Sequence, residues 1–202
     1  VSAGARTKIM RVDAFDFDLP NERIALRPAR PRDAARMLVI DDGEIVDARV
    51  ADLPAWLRPG DCLVFNDTRV IPAQLEGRRG VRHDGAQSAP GAKIGATLHK
   101  RIDLRRWQAF VRNAKRLRVG ETVNFGAEVE ALAEERLADG SFILAYAGDE
   151  PVEVLLERAG TMPLPPYIAG KRATDDADRA DYQTMFARAD GAVAAPAAAP
   201  HF

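Results

Sequence analysis

The chain has 202 residues, with 29 Lys plus Arg against 30 Asp plus Glu and a formal net charge of −1. That length supports one large domain or two small ones around a real core, and the balanced charge excludes both a uniformly basic histone-like protein and an acidic disordered one, so any nucleic-acid site is local. A hydrophobic share of 47% is that of a globular protein, the strongly apolar runs are too short for a transmembrane helix, and the single cysteine, Cys62, favours a reducing cytoplasm and offers neither a disulfide nor a multi-cysteine metal site.

Residues 1–9 carry Arg6 and Lys8 without the apolar centre of a secretory signal, and they read as a disordered leader before Met10. Phe15, Phe17 and Leu19 recur at period two, which predicts a strand or anchoring segment that feeds a short helical stretch over Asn21 to Leu26. Arg36 to Ile40 and Ile45 to Val50 flank the polar stretch Asp41 to Glu44 with its glycine and predict a β-hairpin. Cys62 to Phe65 is apolar on consecutive positions, the pattern of a strand buried on both faces, with the polar cluster Asn66-Asp-Thr-Arg69 at its carboxyl end.

From Gln74 onward the pattern changes to short alternating runs and many glycines, with a Gly/Ser/Ala/Pro tip at Asp84 to Gly91. Candidate strands are Ala73 to Glu76, Lys93 to His99, Trp107 to Val111, Thr122 to Phe125, Glu128 to Glu134 and Phe142 to Tyr146, which together predict a small antiparallel barrel. Helical spacing returns over Pro151 to Gly160, with Val152, Leu155, Leu156 and Ala159 on one face. The expected plan is a mixed α/β main domain over 10–73 and 154–202, interrupted by an inserted β-barrel over 74–153 after the 1–9 leader.

Charge is segregated inside the barrel region. His99 to Arg118 holds eight cations (Lys100, Arg101, Arg105, Arg106, Arg112, Lys115, Arg116, Arg118) against Asp103 alone, whereas Val119 to Glu157 holds ten anions against Arg136. Cations interleaved with Trp107 and Phe110 suit single-stranded RNA, which needs phosphate partners and flat surfaces for unstacked bases. The competing reading is that the two segments pair across strands and neutralise each other, with Trp107 in the core. The run alone leaves both readings open, although Trp107 by itself reads as core.

At a strand end, Asp67 has the chemistry to take a proton and Arg69 to hold a carboxylate or phosphate bidentately. Spacing alone favours an Asx-type turn at Asn66 or Asp67 with Arg69 a surface cation. Pro163, Pro165 and Pro166 stiffen a loop that presents Tyr167 and Ile168, either to a pocket or as a linker, composition favouring the linker. His83 in the tip and His99 at the start of the basic run read as solvated. The sequence has no Gly-x-Gly-x-x-Gly, Walker loop or His-Glu-x-x-His, so metal and P-loop chemistry are unsupported.

The blocks Phe15-Asp-Phe-Asp-Leu-Pro20, Leu57-Arg-Pro-Gly-Asp-Cys-Leu-Val-Phe-Asn-Asp-Thr-Arg-Val-Ile-Pro72, Pro163-Leu-Pro-Pro-Tyr-Ile168, Tyr182-Gln-Thr-Met-Phe-Ala187 and Gly191-Ala-Val-Ala-Ala-Pro196 resemble, in order, the S-adenosylmethionine:tRNA ribosyltransferase-isomerase family of queuosine biosynthesis. The resemblance implies an α/β domain with an inserted barrel. It also implies transfer and isomerisation of the ribosyl part of S-adenosylmethionine onto 7-aminomethyl-7-deazaguanine at the tRNA wobble position, giving epoxyqueuosine and releasing adenine and methionine. A base acting near C5′, which the sulfonium acidifies, and a proton donor for departing adenine are then required.

Under that resemblance Asp67, Arg69 and His201 are the catalytic candidates, while Asn66, Thr68, Tyr167, Tyr182, Gln183 and Thr184 are the cosubstrate-binding ones. Lys100, Arg101, Arg105, Arg106, Arg112, Lys115 and Arg116 are the RNA candidates. The implied partners are the tRNA anticodon loop and S-adenosylmethionine, with no metal, no membrane and a monomeric, cytoplasmic protein. Two departures stand out: Ala197-Ala-Ala-Pro200 replaces a family segment that bears a hydroxyl and a glycine, and family members continue past the position of Phe202, so a chain truncated at its C-terminus is expected. Asn113, where proline is usual, is a smaller one. The alternative function is a non-catalytic tRNA-binding fragment with an incomplete pocket; a methyltransferase lacks a supporting glycine-rich strand-to-helix loop.

Overall fold

A computed structural model describes residues 11–80, 91–196 and 199. The expected leader, the glycine-rich tip with His83, and His201 lie outside the described residues. The fold is mixed, with short helices, two small sheets and a closed barrel.

The barrel strands are β4 (Gln74–Arg79), β5 (Lys93–Arg101), β6 (Arg106–Arg112), β7 (Thr122–Asn124), β8 (Glu130–Arg136) and β9 (Phe142–Tyr146), in the antiparallel closed order β4-β5-β6-β9-β8-β7 (strands β1 to β3 precede them in the chain). Alternation decides which side chains fill it. Trp107 and Ala109 of β6, Phe142 and Leu144 of β9, and Leu75 of β4 point inward and are buried, so Trp107 is a core residue. Closing the sheet on itself leaves no exposed edge. The strand expected over Glu128 to Glu134 begins two residues later, because Ala127 and Glu128 both take positive φ in a turn that brings the Phe125 amide onto the Val129 carbonyl.

Helix α1 (Val152–Ala159) follows, as its spacing predicts, and its Val152, Leu155 and Leu156 join the barrel core. The residue pair 153/154 therefore falls within a helix packed against the barrel. Beyond it, Thr161 and Gln74 exchange backbone hydrogen bonds of 2.8 and 3.1 Å, so the chain leaves the barrel beside the strand by which it entered. Gly160 sits at this neck. A Cβ there would lie well inside contact distance of the Pro72 carbonyl oxygen and 2.5 Å from that of Leu156. Both obstacles are backbone, so Gly160→Ala is expected to destabilise the fold by about 1–3 kcal/mol. A urea midpoint unchanged from the parent would show that the neck relaxes without cost.

Outside the barrel, β1 (Arg36–Asp41) and β2 (Glu44–Arg49) form the expected hairpin, and its two-residue turn, Asp42-Gly43, has positive φ at both positions. That is the twist-matched turn for antiparallel strands, and glycine there costs nothing sterically. β3 (Thr68–Val70) pairs in parallel with β10 (Ala189–Ala192). A second, smaller core gathers Val70, Met162 and Leu164 against Ile168, Tyr182, Ala192 and Ala195. It is flanked by the one-turn helices α2 (Pro166–Ala169) and α3 (Asp178–Asp181).

Two expected strands are absent. Phe15, Phe17 and Leu19 are exposed, and the segment forms a single 3-10 turn at Val12–Phe15 followed by irregular chain; no neighbouring strand among the described residues supplies a ladder for it. Cys62 to Phe65 is likewise irregular and exposed, and the strand starts only at Thr68, so the polar cluster opens β3 instead of closing a buried strand. Consecutive apolar residues are held as a buried strand only where neighbouring strands pair with the edges and packed layers cover both faces. Here β3 has a single partner, β10, whose pairing begins at Thr68.

Candidate functional site

The polar cluster is built around a local turn. Asn66 Oδ1 accepts from the Thr68 backbone N–H at 2.8 Å and from the Thr68 hydroxyl at 2.6 Å, so both side chains are engaged with each other. This is the Asx-type turn that spacing favoured. Its effect is to set out Asp67, whose backbone carbonyl receives the Arg188 and Ala189 amides at 2.7 and 3.1 Å while its exposed carboxylate has no partner among the described residues. Arg69 reaches across to Asp190 on β10 at 3.7 Å, a long pairing with both groups more than half exposed. The arrangement holds a free carboxylate beside a loosely tethered guanidinium at the start of a strand.

Val70, the next residue inward, is clamped by Gln183. The Gln183 amide accepts from the Val70 N–H at 2.9 Å and donates to the Val70 carbonyl at 2.7 Å, copying the bonds of a neighbouring strand. That geometry spends the functional group of Gln183 on positioning β3. Thr184, the neighbouring cosubstrate candidate, is buried, and its hydroxyl has no hydrogen-bond partner. It lines a cleft of about 430 Å³ with Arg32, Asp33, Ala180, Gln183 and Met185.

Tyr167 and Tyr182 line a different cleft, of about 460 Å³, with Leu19, Arg23, Ile24, Leu164 and Ile168 among its walls. Desolvation raises the Tyr182 hydroxyl above the ordinary phenol range, so that side chain is neutral at physiological pH. The cleft floor carries an ion network that single-residue reading of the sequence could not find, because its halves are about 150 positions apart. Asp178 is 1% exposed. It accepts from Arg172 at 2.5 and 2.8 Å, from Arg27 at 3.0 Å and from the Asp175 amide at 2.9 Å. Arg27 also binds Asp175 and Asp181, and Arg30 binds Asp181 at 2.9 Å. The Arg172 guanidinium is the main cause that holds the Asp178 carboxyl below its usual range, against the opposing effect of burial.

On the barrel, four of the seven RNA candidates are paired within the protein. Arg112 makes a fork to both Glu76 oxygens at 2.7 and 2.6 Å, and Arg101 meets Glu153 at 3.1 Å. Arg106 binds Asp103 at 2.6 Å and Glu134 at 3.7 Å, and Arg105 donates to the Gly148 carbonyl at 2.6 Å, with Asp149 at 3.9 Å. Backbone hydrogen bonding from Arg105, then the Arg106 side chain, push the Asp103 carboxyl down to about 2. Lys100, Lys115 and Arg116 are exposed and make no ion pair among the described residues. Pairing within the protein thus occupies the other four cations, but only Arg106–Glu134 joins the run to a strand of the acidic segment: Glu76 lies on β4, Asp103 in the run itself, Asp149 in a loop and Glu153 on α1. No group of three His, Cys, Asp or Glu among the described residues is placed to hold a metal ion, and no described helix is long and apolar enough to cross a membrane.

The model of the family described as queuosine biosynthesis protein matches residues 12–202. The chain belongs to that family. Among relatives of this queuosine-family chain, the S-adenosylmethionine:tRNA ribosyltransferase-isomerase of Sphingopyxis alaskensis is 83% identical over 193 residues, which is 96% of this chain and 52% of that protein. The protein of the same name from Rhizorhabdus wittichii is 69% identical over 195 residues, 96% of this chain and 54% of that one. A crystal structure of S-adenosylmethionine tRNA ribosyltransferase from Thermotoga maritima is 29% identical, with a TM-score of 0.36, and the match covers 78% of this chain and 52% of that one. The chain spans about half the length of the curated relatives it matches.

Proposed function

We propose that this family member takes part in transferring and isomerising the ribosyl moiety of S-adenosylmethionine onto 7-aminomethyl-7-deazaguanine at the wobble position of tRNA, with adenine and methionine released. The reading is carried by 83% identity along 96% of the chain to a protein named for that activity. Physical features of the described site agree with its demands. The cleft between Tyr167 and Tyr182 has a volume in the range of small-ligand sites, apolar walls for a nucleoside and Arg23 as a cation for a carboxylate. Asp67 offers a free carboxylate as proton acceptor, and Arg69, held only at 3.7 Å by Asp190, is available to a carboxylate or phosphate.

Within this reading Asn66 and Thr68 shape the turn that presents Asp67, Gln183 fixes β3, and Thr184 lines the neighbouring cleft with its hydroxyl oxygen buried. His201 is retained as a catalytic candidate on the family resemblance. The inserted barrel, 74–153, is the RNA-facing domain, the main domain is made from 10–73 and 154–202, and the compartment is the cytoplasm. The protein is a monomer in this proposal, and it uses no metal.

The test is incubation of the 202-residue chain with S-adenosylmethionine and tRNA carrying 7-aminomethyl-7-deazaguanine, followed by mass analysis of the nucleoside and detection of free adenine. Adenine appearing with epoxyqueuosine is the expected result. tRNA binding without either product would overturn the catalytic reading for this chain in favour of an RNA-binding role.

A further inference from the structure

We propose that the outer face of strands β5 and β6 binds one unstacked base of a single-stranded RNA loop, stacked on the Phe110–His99 pair, with the adjoining phosphates held by Lys115 and Arg116. This rests on the reading of the barrel as the RNA-facing domain and names the site within it. Side chains of β6 alternate strictly, and Phe110 falls on the outward set between Gln108 and Arg112. A phenylalanine on a solvated barrel wall has no packing to gain from the core, yet it is 56% exposed. Its ring is fixed by stacking on His99, with centroids 4.1 Å apart and planes 18° from parallel.

Alternation along β5 puts His99 outside, since Ile94, Ala96 and Leu98 are the buried set. The β5–β6 register then shifts between Leu98 and Lys100, so that Lys100 comes opposite the outward Gln108 and the outer face carries His99 and Lys100 in succession. Burial lowers its proton affinity below the usual imidazole range, with Asp139 opposing and Lys100 reinforcing, and the neutral ring stacks without a desolvated charge. Its buried Nε2 has no partner in the protein. The pair is therefore a rigid aromatic shelf, already ordered, of the kind on which unstacked bases settle.

Charge picks RNA as the occupant. Along β6 beyond Phe110, Arg112 is neutralised by Glu76, but the chain then turns at Asn113, which takes a left-handed φ of 61°, into Lys115 and Arg116. The Asn113 amide donates to the Lys93 carbonyl at 3.0 Å and ties this rim to the start of β5. Lys93, Lys115 and Arg116 are exposed and make no ion pair among the described residues, and Lys100 flanks His99 on the other side. Free cations at both ends of an exposed ring match a nucleotide and its phosphates; a protein partner with an apolar anchor would need a wider apolar rim, and Arg112, Gln108 and Lys100 border the ring instead.

The experiment is anisotropy of a labelled RNA stem-loop and of a loopless duplex of the same length, titrated with the full chain over a range of salt. Phe110→Ala is expected to weaken stem-loop binding about tenfold, leave the duplex unchanged and leave the salt slope unchanged. Phe110→Trp is expected to restore it. Lys115→Ala with Arg116→Ala is expected to weaken both RNAs and to lower the slope by about 1.4 for the single strand. Stem-loop affinity within twofold of the parent for Phe110→Ala, an equal loss on the duplex, or no RNA binding would overturn the proposal. Product formation by a chain whose Phe110→Ala variant binds normally would sink the shelf alone. Loop-selective loss in a chain that makes no product would sink the transferase reading and leave the shelf standing.

Discussion

Asp178→Ala is expected to destabilise the segment that carries α3 by about 3 kcal/mol while leaving the barrel intact. The substitution deletes a carboxylate that is 1% exposed and strands the partners that surround it. Arg172 keeps only its bonds to the Leu26 and Ala173 carbonyls, and Arg27 keeps Asp175 and Asp181. Removing one member of a buried pair costs more than the pair contributes, because the remaining charge stays desolvated; a third of the Arg27 side chain reaches water, which places the cost at the low end of the usual range. Amide exchange locates the effect: protection at Ala180 to Tyr182 should fall, and protection at Leu98 and Leu144 in the barrel should not. Asp178→Asn keeps the volume but loses the charge and sets an amide NH2 against two N–H donors, because both carboxylate oxygens accept, so it should not restore the parent stability.

The pH dependence has a defined sign. The folded Asp178 carboxyl lies below its ordinary value, so the stability it contributes is complete above the unfolded value of about 3.9 and is lost as pH falls through the folded one. The gap between parent and Asp178→Ala should therefore be widest near neutral pH and close in acid. A gap that stays constant down to acid would mean that the alanine acts through packing and not through the charge.

These two arginine–aspartate halves show where a sequence stops being legible. Period-two alternation located β6 and β9 to within a residue or two, since each strand of a closed barrel has one wet and one dry face whatever its neighbours. Helical spacing found α1, and a glycine in a polar stretch found the β1–β2 turn. Cys62 to Phe65 misled because an apolar run reports what a segment would bury, not whether a partner is there to bury it; Val64 is 89% exposed. Arg27 and Asp178 carry no signal in either local window, and neither does the register shift that follows Leu98. The basic run was visible, but which cations were spent on Glu76, Glu134 and Glu153 depended on strand register. At the candidate site the Asx turn was readable from Asn66 to Thr68, whereas the use of Gln183 as a surrogate strand for Val70 was not.

Asp67→Asn is expected to abolish release of adenine by a chain that shows it, with no change in melting temperature. The two halves of that expectation come from the same observation. The Asp67 carboxylate is exposed and bonded to nothing among the described residues, so exchanging it for an amide removes no contact from the fold, and the backbone carbonyl that holds Arg188 and Ala189 is unaffected. What the amide cannot do is accept a proton, and general-base assistance is commonly worth about 10²–10⁴ in rate. Asp67→Glu separates placement from charge: it keeps the base but moves it by one methylene, and a partial rate is expected. Arg69 supplies the internal comparison, because Arg69→Ala frees Asp190 and should raise the cosubstrate concentration needed for half-maximal rate more than it lowers the maximal rate. Near-normal turnover in Asp67→Asn would take Asp67 off the catalytic list and leave the turn at Asn66 as an element of β3 alone. A fall in melting temperature would show that the carboxylate has a structural partner, and the loss of rate could then no longer be credited to proton transfer.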